Sequence, residues 1–194
     1  MDFVDRFLNY GPAPFDRRHI FVATYSYNFP FFKAQQGFVG HALGGWEFSG
    51  ITRAQPGQPF IVTGTATGSA LGRRRADYVG GDINISNPTP DHWFNTTAFA
   101  QAPDTRLGNS FPGVVRGPGL YTWDISLRKQ FNIQENWKLR FQTDFFNAFN
   151  RTNFRFDSLT SEVVNNTNIN DSSYGTVTSS GPARNIQFGL KLTF

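Results

Sequence analysis

Residues 186–194 read Ile-Gln-Phe-Gly-Leu-Lys-Leu-Thr-Phe. Ile186, Phe188, Leu190, Leu192 and Phe194 fall on one side of an extended chain, and Gln187, Gly189, Lys191 and Thr193 on the other. Strict period 2 is the strand template, because successive side chains of an extended backbone point to opposite faces. Helical spacing would instead mix Lys191 and Gln187 into the apolar set. Trp137–Phe149 repeats the pattern: Trp137, Leu139, Phe141, Thr143, Phe145 and Phe149 alternate with Lys138, Arg140, Gln142 and Asp144, Asn147 being a polar exception. Upstream, Tyr121, Trp123, Ile125, Leu127, Phe131 and Ile133 alternate with Thr122, Asp124, Ser126, Arg128, Gln130 and Asn132. Lys129 falls on the apolar side, where a long stem lets the ammonium snorkel. Only Gln134-Glu135-Asn136 separates these two segments, a hairpin-sized link.

Two further segments fit. Phe21, Ala23, Tyr25, Tyr27, Phe29 and Phe31 oppose Val22, Thr24, Ser26 and Asn28. From Trp46 to about Thr63 the alternation reverses at Ile51, and Pro56 and Pro59 interrupt it, which predicts a bend or bulge. The expected strands are therefore near 17–32, 46–63, 120–133, 137–150 and 184–194, consecutive and antiparallel. Long Gly-, Pro-, Asn- and Thr-rich connections run over about 64–119 and 157–182, with Asp82–Ser86 and Gly175–Ser179 as candidate strand extensions. The links 33–45 and 134–136 are shorter.

Composition narrows the class. Phe occurs 22 times and aromatics make up 16% of 194 residues, yet the mean hydropathy is negative. A water-soluble core has difficulty holding so many rings with so little other apolar material. A transmembrane β-barrel resolves the conflict, since its strands are apolar toward lipid, polar toward the lumen, and girdled by aromatics. The fold class expected is all-β, a partial antiparallel transmembrane barrel of about five strands. Because such barrels pair short periplasmic turns with long extracellular loops, the link lengths place the C-terminus in the periplasm. Five strands fall short of the roughly eight that a closed barrel needs, so the segment reads as part of a larger barrel. The opening residues, Met1-Asp2-Phe3-Val4-Asp5-Arg6, lack the n- and h-regions of a signal peptide, which fits an internal start.

No catalytic constellation is apparent, and no enzymatic activity is expected. Cysteine is missing, which removes disulfides and thiolate metal sites. His19, His41 and His92 lack metal-ligand spacing, and Asp91-His92 reads as loop. The net charge of +4 is scattered apart from Arg73-Arg74-Arg75, so nucleic acid is not an expected partner. The Gly72–Arg75 stretch lacks the Gly-Lys-Ser/Thr ending of a phosphate loop. No cofactor is expected. Two sets of residues carry functional expectations. Phe188, Leu190, Leu192 and Phe194 form a C-terminal pattern suited to recognition by an assembly factor. Asp124, Arg128, Lys138, Arg140, Gln142, Asp144 and Lys191 form a polar row expected to face the lumen.

Several short pieces occur in a characteristic order: Phe15-Asp16-Arg17-Arg18-His19 before an aromatic strand; Gly44-Gly45-Trp46-Glu47-Phe48-Ser49-Gly50-Ile51; Gln55-Pro56-Gly57-Gln58-Pro59-Phe60; Gly108-Asn109 with Arg116-Gly117-Pro118-Gly119; Trp123-Asp124-Ile125-Ser126-Leu127; Phe145-Phe146-Asn147-Ala148-Phe149-Asn150; and the closing Phe188–Phe194. Their order resembles the C-terminal barrel of TonB-dependent receptors of the Oar-like group, whose members often carry an N-terminal carboxypeptidase-regulatory-like domain. The resemblance covers 16–194 and leaves 1–15 as the remnant of an extracellular loop. It implies a barrel of about 22 strands with a plug, energised uptake across the bacterial outer membrane through TonB, and the barrel-assembly machinery, outer-membrane lipid, upstream strands and plug as partners. The competing expectations are a soluble, aromatic-rich β-sandwich that binds carbohydrate and a small, complete outer-membrane barrel of structural role, which needs at least three more spanning strands. A sandwich buries its aromatic faces against one another; a barrel leaves them in one open band.

Overall fold

The alternating segments form one sheet. In a computed structural model, which describes residues 7–64, 74–133, 137–156 and 163–194, five long strands are β1 (Phe21–Asn28), β2 (Trp46–Gln55), β3 (Leu120–Asn132), β4 (Lys138–Phe146) and β5 (Asn185–Thr193). They lie side by side in the order β1-β2-β3-β4-β5. The pairs β1–β2, β3–β4 and β4–β5 are antiparallel, with registers such as Tyr25↔Gly50, Phe141↔Lys129 and Phe141↔Leu190. Each strand pairs with its sequence neighbour, the up-and-down arrangement that the hairpin spacing predicts. The sheet is not closed: β1 and β5 each keep one edge free of a partner strand. The link 134–136 lies outside the described residues, but its flanks pair, the Ile133 N–H donating to the Trp137 carbonyl at 2.9 Å.

The chain divides into two compact units. One contains the sheet: 20–54, 121–152 and 182–194. The other gathers 1–19, 55–120 and 153–181, the segments that precede β1 and connect β2 to β3 and β4 to β5. Of these, 64–119 and 157–182 were expected as loops, whereas 56–63 was expected to continue the strand that starts at Trp46 and belongs instead to this unit. Together these segments hold the buried apolar cluster of the described chain, which includes Phe60, Val62, Phe94, Phe99, Val115 and Phe156. Phe60 and Phe156 meet edge to face at 4.9 Å, and Phe94 meets Tyr174 at 5.5 Å. Burial pushes the Tyr174 hydroxyl pKa up, and the group donates to the Thr96 carbonyl at 3.3 Å. Two-residue ladders tie the segments together: Pro59–Phe60 with Val115–Arg116, Thr63–Gly64 with Arg74–Arg75, Asp77–Tyr78 with Phe99–Ala100, and Phe154–Arg155 with Ser179–Ser180. Asp77 accepts two bonds from Arg106, at 2.7 and 2.6 Å, and one from the Asn109 N–H at 3.1 Å. Arg116 pairs with Asp16 at 2.6 Å. Of the Arg73–Arg75 run, Arg73 lies outside the described residues, while Arg75 bonds the Leu8 carbonyl and Asn9.

Strand limits differ from expectation for physical reasons. The reversal of alternation at Ile51 does not interrupt β2, which pairs without a break from Glu47 to Ala54; the interruption falls at the prolines, where a bend or bulge was expected and the strand instead ends. The apparent reversal comes from an apolar residue on the polar face. The strand stops at Gln55 because Pro56 cannot donate to a ladder, and 59–64 pair in the other unit. β4 ends at Phe146 rather than near 150, because Asn147 and Asn150 adopt φ of 50° and 51°, a left-handed conformation that asparagine tolerates better than most residues. β1 is shorter than 17–32, and Phe32 and Gln35 also turn with positive φ. Asp82–Ser86 forms no strand, and from Gly175–Ser179 only Ser179 pairs. The 29–45 connection holds an unforeseen helix, α1 (Gly37–Leu43).

Candidate functional site: the two faces of the sheet

The pairing registers fix which side chains share a face within β1–β2 and within β3–β5, since directly opposed residues of neighbouring strands lie on the same side; the Arg128–Glu47 ion pair on one side and Lys129 over the Trp46 ring on the other join the two sets. On one face lie Tyr25, Tyr27, Trp46, Phe48, Trp123, Ile125, Leu127, Phe131, Leu139, Phe141, Phe145, Ile186, Phe188, Leu190 and Leu192. None of them belongs to the buried apolar core. Phe188 is 72% exposed and Leu190 70%. The rings contact each other laterally: Phe141 stacks on Phe188 at 6.2 Å, Tyr25 on Phe48 at 5.7 Å, and Trp137 lies 5.6 Å from Phe194. Tyr25 covers Gly50 opposite it, where a Cβ would stand 2.7 Å from the phenol oxygen. A neighbouring aromatic thus fills the gap that a strand glycine leaves. Among the described residues of this unit, the five-stranded sheet has no second sheet to pack this face against.

The other face carries the expected polar row. Asp124, Arg128, Lys138, Arg140, Gln142, Asp144 and Lys191 all lie on it. Arg128 is the hub: it pairs with Glu47 at 3.1 Å and donates to Gln142 Oε1 at 3.1 Å. Gln142 donates to both Asp144 oxygens at 2.8 Å, and Ser26 donates to Glu47 at 3.4 Å. One belt therefore crosses β1 to β4. Asp124 does something different. Its carboxylate accepts the Asn147 N–H at 2.9 Å and so holds the turn after β4. Arg140 and Lys191 are directly opposed, two cations that lie side by side on the polar face. Glu47 was not singled out from the sequence, although its alternation with Trp46 and Phe48 placed it on this face.

Two arrangements depend on contacts between segments remote in sequence. Lys129 does not snorkel. It is 2% exposed, bonds the Gly44 carbonyl, and its ammonium lies 4.9 Å from the Phe131 ring centre and 5.4 Å from that of Trp46. Gln35, also buried, lends its carboxamide to β3: it donates to the Gln130 carbonyl at 2.7 Å and accepts the Asn132 N–H at 3.0 Å. The side chain thereby continues the ladder beyond the first residue of β2.

The comparisons agree with this geometry. The sequence matches the family described as outer membrane beta barrel domain over residues 1–187. The chain belongs to that family. No curated protein and no solved structure matches it. An outer-membrane barrel protein accounts for both faces at once: an apolar, aromatic band for hydrocarbon and a hydrogen-bonded polar face for the interior. The absence of any long apolar helix among the described residues is compatible with this, because barrels cross with strands.

Proposed function

We propose that this outer-membrane barrel chain is the C-terminal barrel portion of a TonB-dependent receptor that takes part in energised uptake. The supporting observation is the second unit. The connections leave the sheet at the far ends of β2 and β4, and together they carry their own apolar core and internal ladders. A barrel of purely structural role needs no such folded mass in its loops, whereas a receptor uses it as a recognition surface. The motif order described above supports the TonB reading specifically.

In this reading the short links and the C-terminus are periplasmic, and the long connections are extracellular loops. The polar row lines the lumen, where Arg128, Gln142 and Asp144 are held by one another and Arg140 and Lys191 remain open to plug or solute. The free edges of β1 and β5 pair with further strands, and the assembly machinery reads β5. No catalysis, cofactor or metal is proposed for the chain. The test is a comparison of spent medium from three strains: wild type, one without this coding sequence, and one without TonB. Both deletions should leave the same compound unconsumed. A compound set shared by neither contradicts uptake.

A further inference from the structure

The helix in the β1–β2 connection has a face that nothing in its unit covers. Phe38, Val39, Ala42 and Leu43 fall within one arc of about 140° at 100° per residue. Phe38 is 89% exposed, and Val39 and Leu43 are more than half exposed. The opposite side packs inward: Gly40 is buried, and a Cβ there would stand 2.9 Å from the Gln35 backbone. The helix is therefore held by its small residue and turns its large apolar ones outward, the reverse of a soluble surface helix.

Its attachment shows which side of the sheet it occupies. The Trp46 indole N–H donates to the Ala42 carbonyl at 3.0 Å, and Lys129 bonds the Gly44 carbonyl just past the helix. An open recess of about 400 Å³ is lined by His41 together with Phe131, Ile133 and Leu139 of the aromatic face and by Asn132 at the strand end. Trp46, Lys129, Phe131 and Leu139 all belong to the aromatic face. The helix thus flanks the lipid side of the sheet, not its polar side. It does so at the end where Trp46 begins β2, Phe131 nears the end of β3, Trp137 precedes β4, and Phe194 follows β5. That set forms an aromatic girdle of the kind that marks a membrane–water interface.

We infer that α1 is an interfacial anchor: it lies in the headgroup layer beside the barrel wall, with Phe38, Val39 and Leu43 inserted among phospholipid acyl chains. The inference rests on the outer-membrane reading of the sheet. Continuity with the aromatic band selects lipid as the occupant. An amphipathic segment with exposed rings beside an interfacial girdle buries its apolar face a few ångströms into the acyl boundary.

Because this chain has no cysteine, a single introduced cysteine reports its own surroundings. The protein, purified from the outer membrane and returned to phosphatidylethanolamine–phosphatidylglycerol vesicles, is labelled with a polarity-sensitive fluorophore at Phe38→Cys, Leu43→Cys, Gln36→Cys or Leu190→Cys. Each form is quenched by nitroxide lipids and by aqueous iodide. Quenching at positions 38 and 43 should come from shallow nitroxide lipids and exceed that at position 36 by several-fold, with position 190 quenched by deeper nitroxides. If 38 and 43 respond to iodide as 36 does, or are shielded from both quenchers by protein, the anchor is wrong while lipid quenching at 190 keeps the barrel intact. Iodide quenching at 190 as well overturns both.

Discussion

At the scale of single residues, Leu190 separates a lipid-facing strand from an ordinary exposed one. It is 70% exposed at the middle of β5 and opposes Phe141. In water, Leu190→Arg at such a site costs little. At a lipid-facing midplane the same change costs about 2–4 kcal/mol. We expect Leu190→Arg to deplete the folded, heat-modifiable outer-membrane form strongly, while Gln187→Arg, on the polar face, leaves it near wild type; equal losses would refute the facing. Asn147 is the second informative residue. It holds a positive φ and bonds the Arg151 carbonyl, the Arg151 N–H and the Pro182 carbonyl through its carboxamide, at 2.9, 3.0 and 3.2 Å. Asn147→Ala loses both features and should destabilise by about 1–3 kcal/mol in denaturant titration. Asn147→Gly regains the backbone conformation alone and should fall between. Asp77 supplies a pH dependence. Its bonds from Arg106 and the Asn109 N–H hold its carboxyl below the usual carboxylate range. A depressed folded pKa contributes stability that is present above the unfolded value, about 3.9, and is lost as pH falls through the folded value. Acid unfolding of this unit should therefore be steeper in wild type than in Asp77→Asn, by near-ultraviolet circular dichroism.

At the scale of elements, β5 carries the most distinct expectation. Every residue of it is exposed, and one edge has no partner strand. An unpaired edge with alternating side chains is what β-augmentation recognises. Phe194, just past the strand, rests on Trp137. Removing Phe194 should lower the outer-membrane level of the protein without changing its synthesis, and Phe194→Tyr should be tolerated, as pulse labelling and fractionation would show. Normal delivery without Phe194 would make it an ordinary strand residue. The five strands were legible because period 2 is written into each segment and register needs only neighbours. Their ends were not. Asn147 reads as a polar exception in a strand until its φ is known, and Ile51 reads as a reversal of the alternation although it is an apolar residue on the polar face of an uninterrupted strand. The helix α1 was hidden because seven residues with two glycines carry almost no helical signal. Lys129 and Gln35 are occupied by contacts that cross 85 and 95 positions of sequence, beyond the reach of any local pattern.

At the scale of the whole chain, apolar side chains are used in two different ways. The unit built from the long connections buries its rings in a core; the sheet unit contributes no fully buried apolar side chain among the described residues. That core was missed because its residues are isolated among Gly, Pro, Asn and Thr, without period, and only the fold gathers them. The sheet has the opposite economy, with clear period and nothing inside. In water its aromatic face would aggregate; in a bilayer it is solvated. The most direct measurement is a single-cysteine spin-label scan along β4, from Lys138 to Phe146, in the outer-membrane form of the protein, comparing collision with oxygen and with a water-soluble nickel chelate. Oxygen-dominated relaxation is expected at 139, 141, 143 and 145, chelate access at 138, 140, 142 and 144, and a strict period of two. Uniform access to the chelate at all these positions, or lipid contact at Arg140 and Gln142 instead of Phe141 and Phe145, would contradict this facing of the sheet.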